Sequence, residues 1–398
     1  MHLTPVIAVL RGLPSSKHYI GYSDIEVWFE LTKRGYFIHI FLQGRGNIRK
    51  RSRKLFIWEI GFPGIPILSA CIYCLVSLLK LIKIKPDILV VYHYSFPTGA
   101  IYKFLKSSTL IVLDIRSIPV GPRIWIHKAL LKRALCSRFI DVISVIRKEM
   151  LMQIIREYNV RPQVPIITWT SGFNPKYFNE KIQGTHIRSK YGLGKQFIII
   201  YHGSITRERG LETLINAFKI LSDEGIKNVG LWILGDGKDK DVLKHLALQL
   251  GLQESIQFFD PVSYSKVAQF IAAADAGISP LPANPWWLYQ FPLKIVECLA
   301  VGKPVIATDI MCHRLIGGGI IFAHGDTAQA LSEAIKKFIS LNKTELEELK
   351  KEALKAAEKY TWEKQALLID KFLKNLLLSK HQSDHAKHKK LGGKKIGR

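Results

Sequence analysis

The chain has 398 residues, 48% of them hydrophobic, and a formal net charge of +26. That length predicts two domains rather than one core, and the apolar content excludes a disordered chain. The charge bears on partners, since such a field attracts nucleic acid, anionic lipid or phosphorylated substrates, and says nothing of fold. Five scattered cysteines exclude a disulfide framework and fit a reducing cytosol.

In chain order, strand-like apolar runs alternate with helical patterns. "TPVIAVL" reads as a first strand, Val6–Leu10, rather than a secretory leader, because a charged loop follows it. A helix over Asp24–Arg34, a strand Phe37–Leu42, a helix Pro66–Ile82 and a strand Ile88–Tyr92 come next. Within this stretch Gly61 to Leu79 is uncharged and long enough to cross a bilayer. Its crowded prolines and glycines, and the buried strand after it, favour a helix packed on a sheet or lying on a membrane surface. Cys71 and Cys74 there read as a helical core pair, with no second cysteine or histidine pair nearby to make a metal or redox site. The alternation continues through a strand Leu110–Asp114, a helix Pro122–Arg138, a strand Ile140–Val145 and a helix Lys148–Tyr158, which is the signature of parallel βαβ units.

The segment "WTSGFNPKYFNEKIQGTHIRSKYGLGKQ" breaks the rhythm with turn residues and charge, placing a boundary near Gly172 that separates residues 1–172 from 173–361. A second series starts at "FIIIYHGS" and continues with strands at Gly230–Leu234, Ser255–Phe259, Ala276–Pro280 and Pro304–Thr308. Polar helices over Asn342–Tyr360 and Trp362–Ser379 follow. Residues 380–398 carry seven Lys or Arg against one Asp and are expected to be disordered, with His381, His385 and His388 solvated.

The most informative run is "YQFPLKIVECLAVGKPVIATD", Tyr289 to Asp309. Pro292 suits the first position of a helix, so the N–H groups of Leu293, Lys294 and Ile295 would be free to face an anion. Lys294 and Glu297 lie three apart on one helix face, an ammonium for a phosphate and a carboxylate for the two hydroxyls of a ribose. An ordinary helix-to-strand connection with a Lys294–Glu297 surface salt bridge would read the same. A second run, "YHGSITRERGLETLINAF", puts Gly203 and Ser204 at a strand end, where a glycine turn lets backbone approach a phosphate, and places Arg207 and Arg209 to neutralise it; arginines at a helix start are also commonly just solvated. Both runs follow strands of one domain and open at the carboxyl edge, where ligands bind in such sheets. "ILGDG", with Gly235 and Asp236, and "FFDPVSYSKV" from Phe258 end at the same edge and could border a nucleobase. Asp236, Asp239 and Asp241 straddle a loop and a helix start, where capping is a plainer account than a metal ion, and no metal is expected.

Taken together, the glycine and basic residues of Gly203–Gly210, then "ILGDG", then "PLKIVECLAVGKPVIATD" resemble the retaining GT-B glycosyltransferases of the group 1 (family 4) type. "ITWTSGFNPKYF" is similar to that family's inter-domain segment, with Asn174 where aspartate is usual. "YTWEKQALLIDKFL" is similar to the closing helix that crosses back to the first domain, here 362–379. The resemblance implies an α/β GT-B fold, with two Rossmann-like domains whose parallel sheets face each other across a cleft. The first would bind the acceptor and the second the nucleotide sugar. Departures are Ser204 where an arginine is usual, Arg209 for lysine, and Tyr289 in place of the first of two glutamates eight positions apart. That last change leaves sugar identity and stereochemical outcome open. The histidine usual after one strand of the first domain is here Asp114, which with Arg116 would face the cleft and orient the acceptor or act as base; an Asp capping the next turn fits as well. His93 is the other acceptor-side candidate, and the loop from Gly12 to Gly21 should approach the bound donor or acceptor.

The expected chemistry is transfer of a hexose-type sugar from a nucleoside diphosphate carrier to a glycan or lipid-linked acceptor, as in surface-polysaccharide or glycolipid synthesis. Arg209 and Lys294, with the helix start at Leu293 and with Arg207, would stabilise the leaving phosphate, while Glu297 positions the ribose. No cofactor beyond the donor is expected. The basic run "RGNIRKRSRK", Arg45 to Lys54, adjoins the apolar stretch and suggests docking on the inner face of an anionic membrane, with nucleic acid disfavoured because no reading motif accompanies the charge. A non-transferring, epimerase-like enzyme on the same scaffold and a binding protein with a decayed donor site are the competing readings.

Overall fold

A computed structural model describes residues 4–14, 22–43, 48–50, 52–60, 66–119, 124–192 and 194–392. The chain divides into two compact units, Met1–Ser171 with Trp362–Arg398, and Gly172–Thr361.

The first unit opens with β1 (Val6–Pro14), α1 (Tyr22–Lys33), β2 (Phe37–Gln43), β3 (Ile48–Lys50) and β4 (Leu55–Ile60). It continues with α2 (Pro66–Ile84), β5 (Ile88–Val91), α3 (Phe96–Leu105), β6 (Leu110–Ile115), α4 (Ile124–Leu135), β7 (Val142–Val145), α5 (Lys148–Tyr158) and β8 (Ile166–Thr168). The sheet order is β3-β4-β2-β1-β5-β6-β7-β8, parallel except for β3, which pairs antiparallel with β4. Its inner strands β5, β6 and β7 are buried at every residue, as expected where helices cover both faces.

The second unit holds α6 (Thr185–Tyr191), β9 (Phe197–Ser204), α7 (Leu211–Asp223), β10 (Val229–Asp236), α8 (Lys240–Gln249), β11 (Ile256–Phe259), α9 (Tyr264–Ala273) and β12 (Ala276–Ser279). Then come α10 (Pro285–Leu288), α11 (Leu293–Ala300), β13 (Val305–Thr308), α12 (Met311–Arg314), β14 (Ile320–Ala323), α13 (Ala328–Ile339) and α14 (Lys343–Ala357). All six strands are parallel in the order β11-β10-β9-β12-β13-β14. One apolar core lies under α7 and α13, and another under α9, α11 and α14. The chain enters and leaves this unit side by side, Phe173 N–H donating to Tyr360 O at 2.9 Å.

The last helix, α15 (Trp362–Gly392), packs on α1 in the first unit, with Trp362, Ala366, Ile369 and Leu373 buried against Trp28 and Trp169. Tyr36 fixes it by donating from its hydroxyl to Asp370 at 2.9 Å. The composition beyond Ser379 predicts disorder, yet the helix runs on. Composition forbids a core there, but the stretch holds no proline, and extending an existing helix costs little compared with nucleating one.

Several expectations change. Within the run Arg45–Lys54, β3 makes an antiparallel edge of the sheet that no strand pattern announces; residues 44–47 and 51 lie outside the described residues. Cys71 is exposed and Cys74 half-buried, so they are not a core pair: the inward positions of α2 are Tyr73, Ser77 and Leu81, at helical spacing. Among the described residues no helix is long and apolar enough to cross a membrane. Most of the loop from Gly12 to Gly21 lies outside the described residues.

Candidate active site

In the second unit the chain works outward from β9 to β10 and β11, then returns to place β12 on the other side of β9. That reversal opens a crevice at the carboxyl ends of β9 and β12, where open α/β sheets bind ligands. The loop after β9 closes tightly over the end of β12. A Cβ on Gly210, where φ is +75°, would come within 1.9 Å of Pro280 O, so only glycine allows the approach. Gly203 and Gly235 are register partners with positive φ, and a Cβ on Gly235 would meet Gly203 O at 1.9 Å. The two strands therefore end in bare backbone.

Lys294, in the first turn of α11, reaches into this edge. Its Nζ lies 3.7 Å from the Tyr201 ring centroid and 3.7 Å from where a Gly203 Cβ would be. The ammonium is buried and makes no hydrogen bond among the described residues. Desolvation, followed by the nearby Arg209 charge, holds its pKa well below the ordinary lysine value. Arg209 stands on the turn Arg207–Arg209 with its guanidinium 4.8 Å from the Trp287 ring centroid, and Trp287 Nε1 donates to Glu208 O at 2.8 Å. Two cations thus stand near these strand ends, and the Glu297 carboxylate opposes the fall in the Lys294 pKa less than burial and Arg209 drive it.

Glu297 is 5% exposed and does not pair with Lys294. Its Oε2 lies 2.8 Å from His202 Nε2, and its Oε1 accepts from Tyr264 Oη at 2.8 Å. The surface salt bridge allowed by the sequence is therefore not formed. His202, Tyr264 and Trp287 are functional neighbours that sequence reasoning missed. His202 directly precedes the noted Gly203 and Tyr264 lies inside the noted "FFDPVSYSKV", but contacts 95 and 33 residues apart have no local signal.

The expected row of free N–H groups at α11 needs correction. Pro292 is the N-cap, not the first helical residue, with φ −83° and ψ 72°. Those angles make an inverse γ-turn, in which Leu293 N–H donates to Phe291 O at 3.0 Å, and Ile295 N–H donates to Pro292 O at 3.0 Å. Leu293 and Ile295 are thereby removed as free donors. Arg207 is exposed, with Nε 3.3 Å from Glu212 Oε2, and is directed along the start of α7 rather than at Lys294. Ser204 O accepts from Tyr201 Oη at 2.6 Å. Asp236 accepts from Gly237 N–H at 2.9 Å, and Asp239 makes no capping bond but accepts from Arg207 N–H at 2.9 Å, tying two loops together. Buried Lys240 joins the ends of β10 and β11 through Gly235 O at 3.0 Å and Asp260 at 2.6 Å. No group of metal-ligating side chains occurs among the described residues.

In the first unit Asp114 is 1% exposed. Strand periodicity puts it on the face of Leu110 and Val112, under α15, rather than at an open rim. It accepts from Ser144 Oγ at 2.7 Å, Ser144 accepts from Trp169 Nε1 at 2.7 Å, and Arg116 stacks on Trp169 with NH1 3.9 Å from Asp114. The sequence has Asp114 facing the cleft with Arg116; its carboxylate lies buried within the first unit instead. His93 Nε2 meets His127 Nδ1 at 3.1 Å, and burial holds its pKa down at about 4, so His93 is neutral at physiological pH.

Two Rossmann-like units with parallel sheets define a GT-B fold, and sucrose-phosphate synthase of Thermosynechococcus elongatus shares it, with a TM-score of 0.78 over 94% of this chain and 100% of that one at 17% identity. The Anabaena protein HepE, solved with UDP-glucose, matches with a TM-score of 0.72 over 93% and 99% at 16% identity; both likenesses show the fold alone. The sequence model of "Glycosyl transferases group 1" matches residues 183–359, nearly all of the second unit. Among curated relatives, the D-inositol 3-phosphate glycosyltransferase of Corynebacterium glutamicum is 23% identical over 62% of this chain and 60% of its own length. The chain spans about a third of the length of the first two curated relatives it matches.

Proposed function

We propose that this protein is a glycosyltransferase that moves a sugar from a nucleoside diphosphate carrier to a glycan or lipid-linked acceptor. One observation carries the reading: Lys294 Nζ is buried without a hydrogen bond beside Arg209. A buried ammonium with only the Tyr201 ring and no hydrogen bond is costly, and a diphosphate is the ligand that would relieve it. The match of the second unit to the group 1 glycosyltransferase model and the UDP-glucose bound by HepE support the same donor class.

In the proposed reaction the bond between the anomeric carbon and the phosphate oxygen breaks, and its electron pair stays on the leaving diphosphate. Arg209 and Lys294 stabilise that charge in a site of low dielectric, supplying what a divalent cation would otherwise bring, so the reaction runs without a metal ion. Glu297, its carboxylate fixed by His202 and Tyr264, offers its remaining lone pairs to the ribose hydroxyls. The acceptor oxygen bonds to the anomeric carbon with retained configuration, and its proton passes to the phosphate oxygen that the carbon leaves. The setting is the cytoplasmic face of a membrane, which suits five free cysteines.

The test is a panel of nucleoside diphosphate sugars offered with and without lipid-linked and glycan acceptors. Nucleotide release that requires an acceptor, from one donor of the panel, is the expected result. Binding of nucleotide sugar with no acceptor-dependent release would favour the epimerase-like reading, and no binding at all a decayed site.

A further inference from the structure

The fold of the first unit leaves an apolar face uncovered. α2 and α3 pack side by side. With Tyr73 and Leu81 turned inward, α2 presents Leu75 and Leu79 outward, 59% and 54% exposed, and α3 presents Phe104 at 76%. Leu68, Ile82, Ile101 and Leu105 extend the same two helices' exposed apolar surface. Single exposed hydrophobics need no explanation, but seven on two helices packed together do.

Charge decides what covers it. Between Glu59 and Asp114 the only acid is Asp87, whose carboxylate accepts from Val6 N–H at 2.8 Å in the loop before β5. The same stretch carries Lys80, Lys83, Lys85, Lys103 and Lys106, all at the C-terminal ends of α2 and α3. Crossover helices run antiparallel to the strands they join, so these ends lie together at the amino edge of the sheet. Lys54, immediately before β4, sits at that edge too, and β3 brings Arg49 and Lys50 along the neighbouring border. Lys103 is engaged by Asp141 and Lys80 lies over Trp58, while Lys83, Lys85 and Lys106 are exposed. An apolar face with cations gathered at one end matches the boundary between acyl chains and anionic headgroups. A second copy of this chain would bring another charge of +26 against the first and is disfavoured.

We propose that the outer face of α2 and α3 is a membrane-docking surface that lays Leu75, Leu79 and Phe104 into the headgroup boundary of an anionic bilayer, with Lys83, Lys85 and Lys106 on lipid phosphates. This deepens the transferase reading by giving a lipid-linked acceptor its location, but the docking itself does not depend on the reaction.

The test is flotation of the full chain with vesicles of phosphatidylcholine alone and of phosphatidylcholine mixed with phosphatidylglycerol. Wild type should float with the mixed vesicles only, and less so as salt rises. Leu75→Glu/Leu79→Glu and, separately, Lys83→Glu/Lys106→Glu should each weaken binding at least tenfold while unfolding thermally like wild type. Wild type that ignores lipid charge, or a double-glutamate variant that floats unchanged, would overturn the proposal. So would concentration-dependent self-association abolished by Leu75→Glu/Leu79→Glu with no vesicle binding. UDP binding measured without vesicles, unchanged in both variants, keeps failure of docking distinct from failure of the donor site.

Discussion

At the end of β6 in the first unit, Asp114 is buried beside a donor and an opposite charge: Ser144 donates to its Oδ1, Trp169 holds Ser144, and Arg116 lies 3.9 Å from that oxygen. At the start of α11 in the second unit, the Lys294 ammonium is buried too, yet the strongest charge acting on it is another cation, Arg209, and it has no hydrogen bond among the described residues. Both are candidates by sequence, as charged residues near the carboxyl ends of parallel strands. What separates them is the state of their partners. A buried charge beside an opposite charge serves the fold, whereas one beside a like charge costs stability and is retained where a ligand completes it.

The contrast can be broken in several ways. The largest effect expected is on Lys294→Ala: loss of about 2–5 kcal/mol of UDP affinity, with turnover falling below detection, read by calorimetry and nucleotide release. Unchanged activity in that variant would remove the donor-site assignment. Arg209→Ala should cost about 1.5–3 kcal/mol of UDP affinity, the worth of a hydrogen bond to a charged group. It should also raise the Lys294 pKa, since Arg209 is one of the groups pushing it down. Asp114→Asn should act oppositely, lowering stability by about 1–3 kcal/mol in denaturant unfolding while leaving KM for the donor unchanged. A large loss of kcat at full stability in Asp114→Asn would restore a direct catalytic role to that residue.

Much of the architecture and of the donor edge is legible in the amino-acid sequence. The alternation of apolar runs and helical patterns marks parallel βαβ units, and the conjunction of Gly203–Gly210 with Lys294 and Glu297 points to one sheet edge. The rest depends on side-chain direction and long-range contact. That Asp114 faces α15 follows from strand parity only once the partner of that face is known. That Pro292 closes a γ-turn, and so takes up the Leu293 N–H, depends on a ψ angle that proline's fixed φ does not set. The partners of Glu297 come from β9 and α9, far along the chain. The edge strand β3 is hidden because its three residues sit in a run of cations that reads as loop.

The most direct test of the central claim is thermal unfolding of wild type and Lys294→Met over a range of pH, with and without UDP. Because burial depresses the Lys294 pKa, the unfolded chain binds more protons between that depressed value and the ordinary 10.5, and stability rises with pH through this window. The account predicts that Lys294→Met is the more stable protein at neutral pH, that wild type closes the gap as pH rises toward that ordinary value, and that UDP stabilises wild type alone. A less stable Met variant that UDP still stabilises would contradict it.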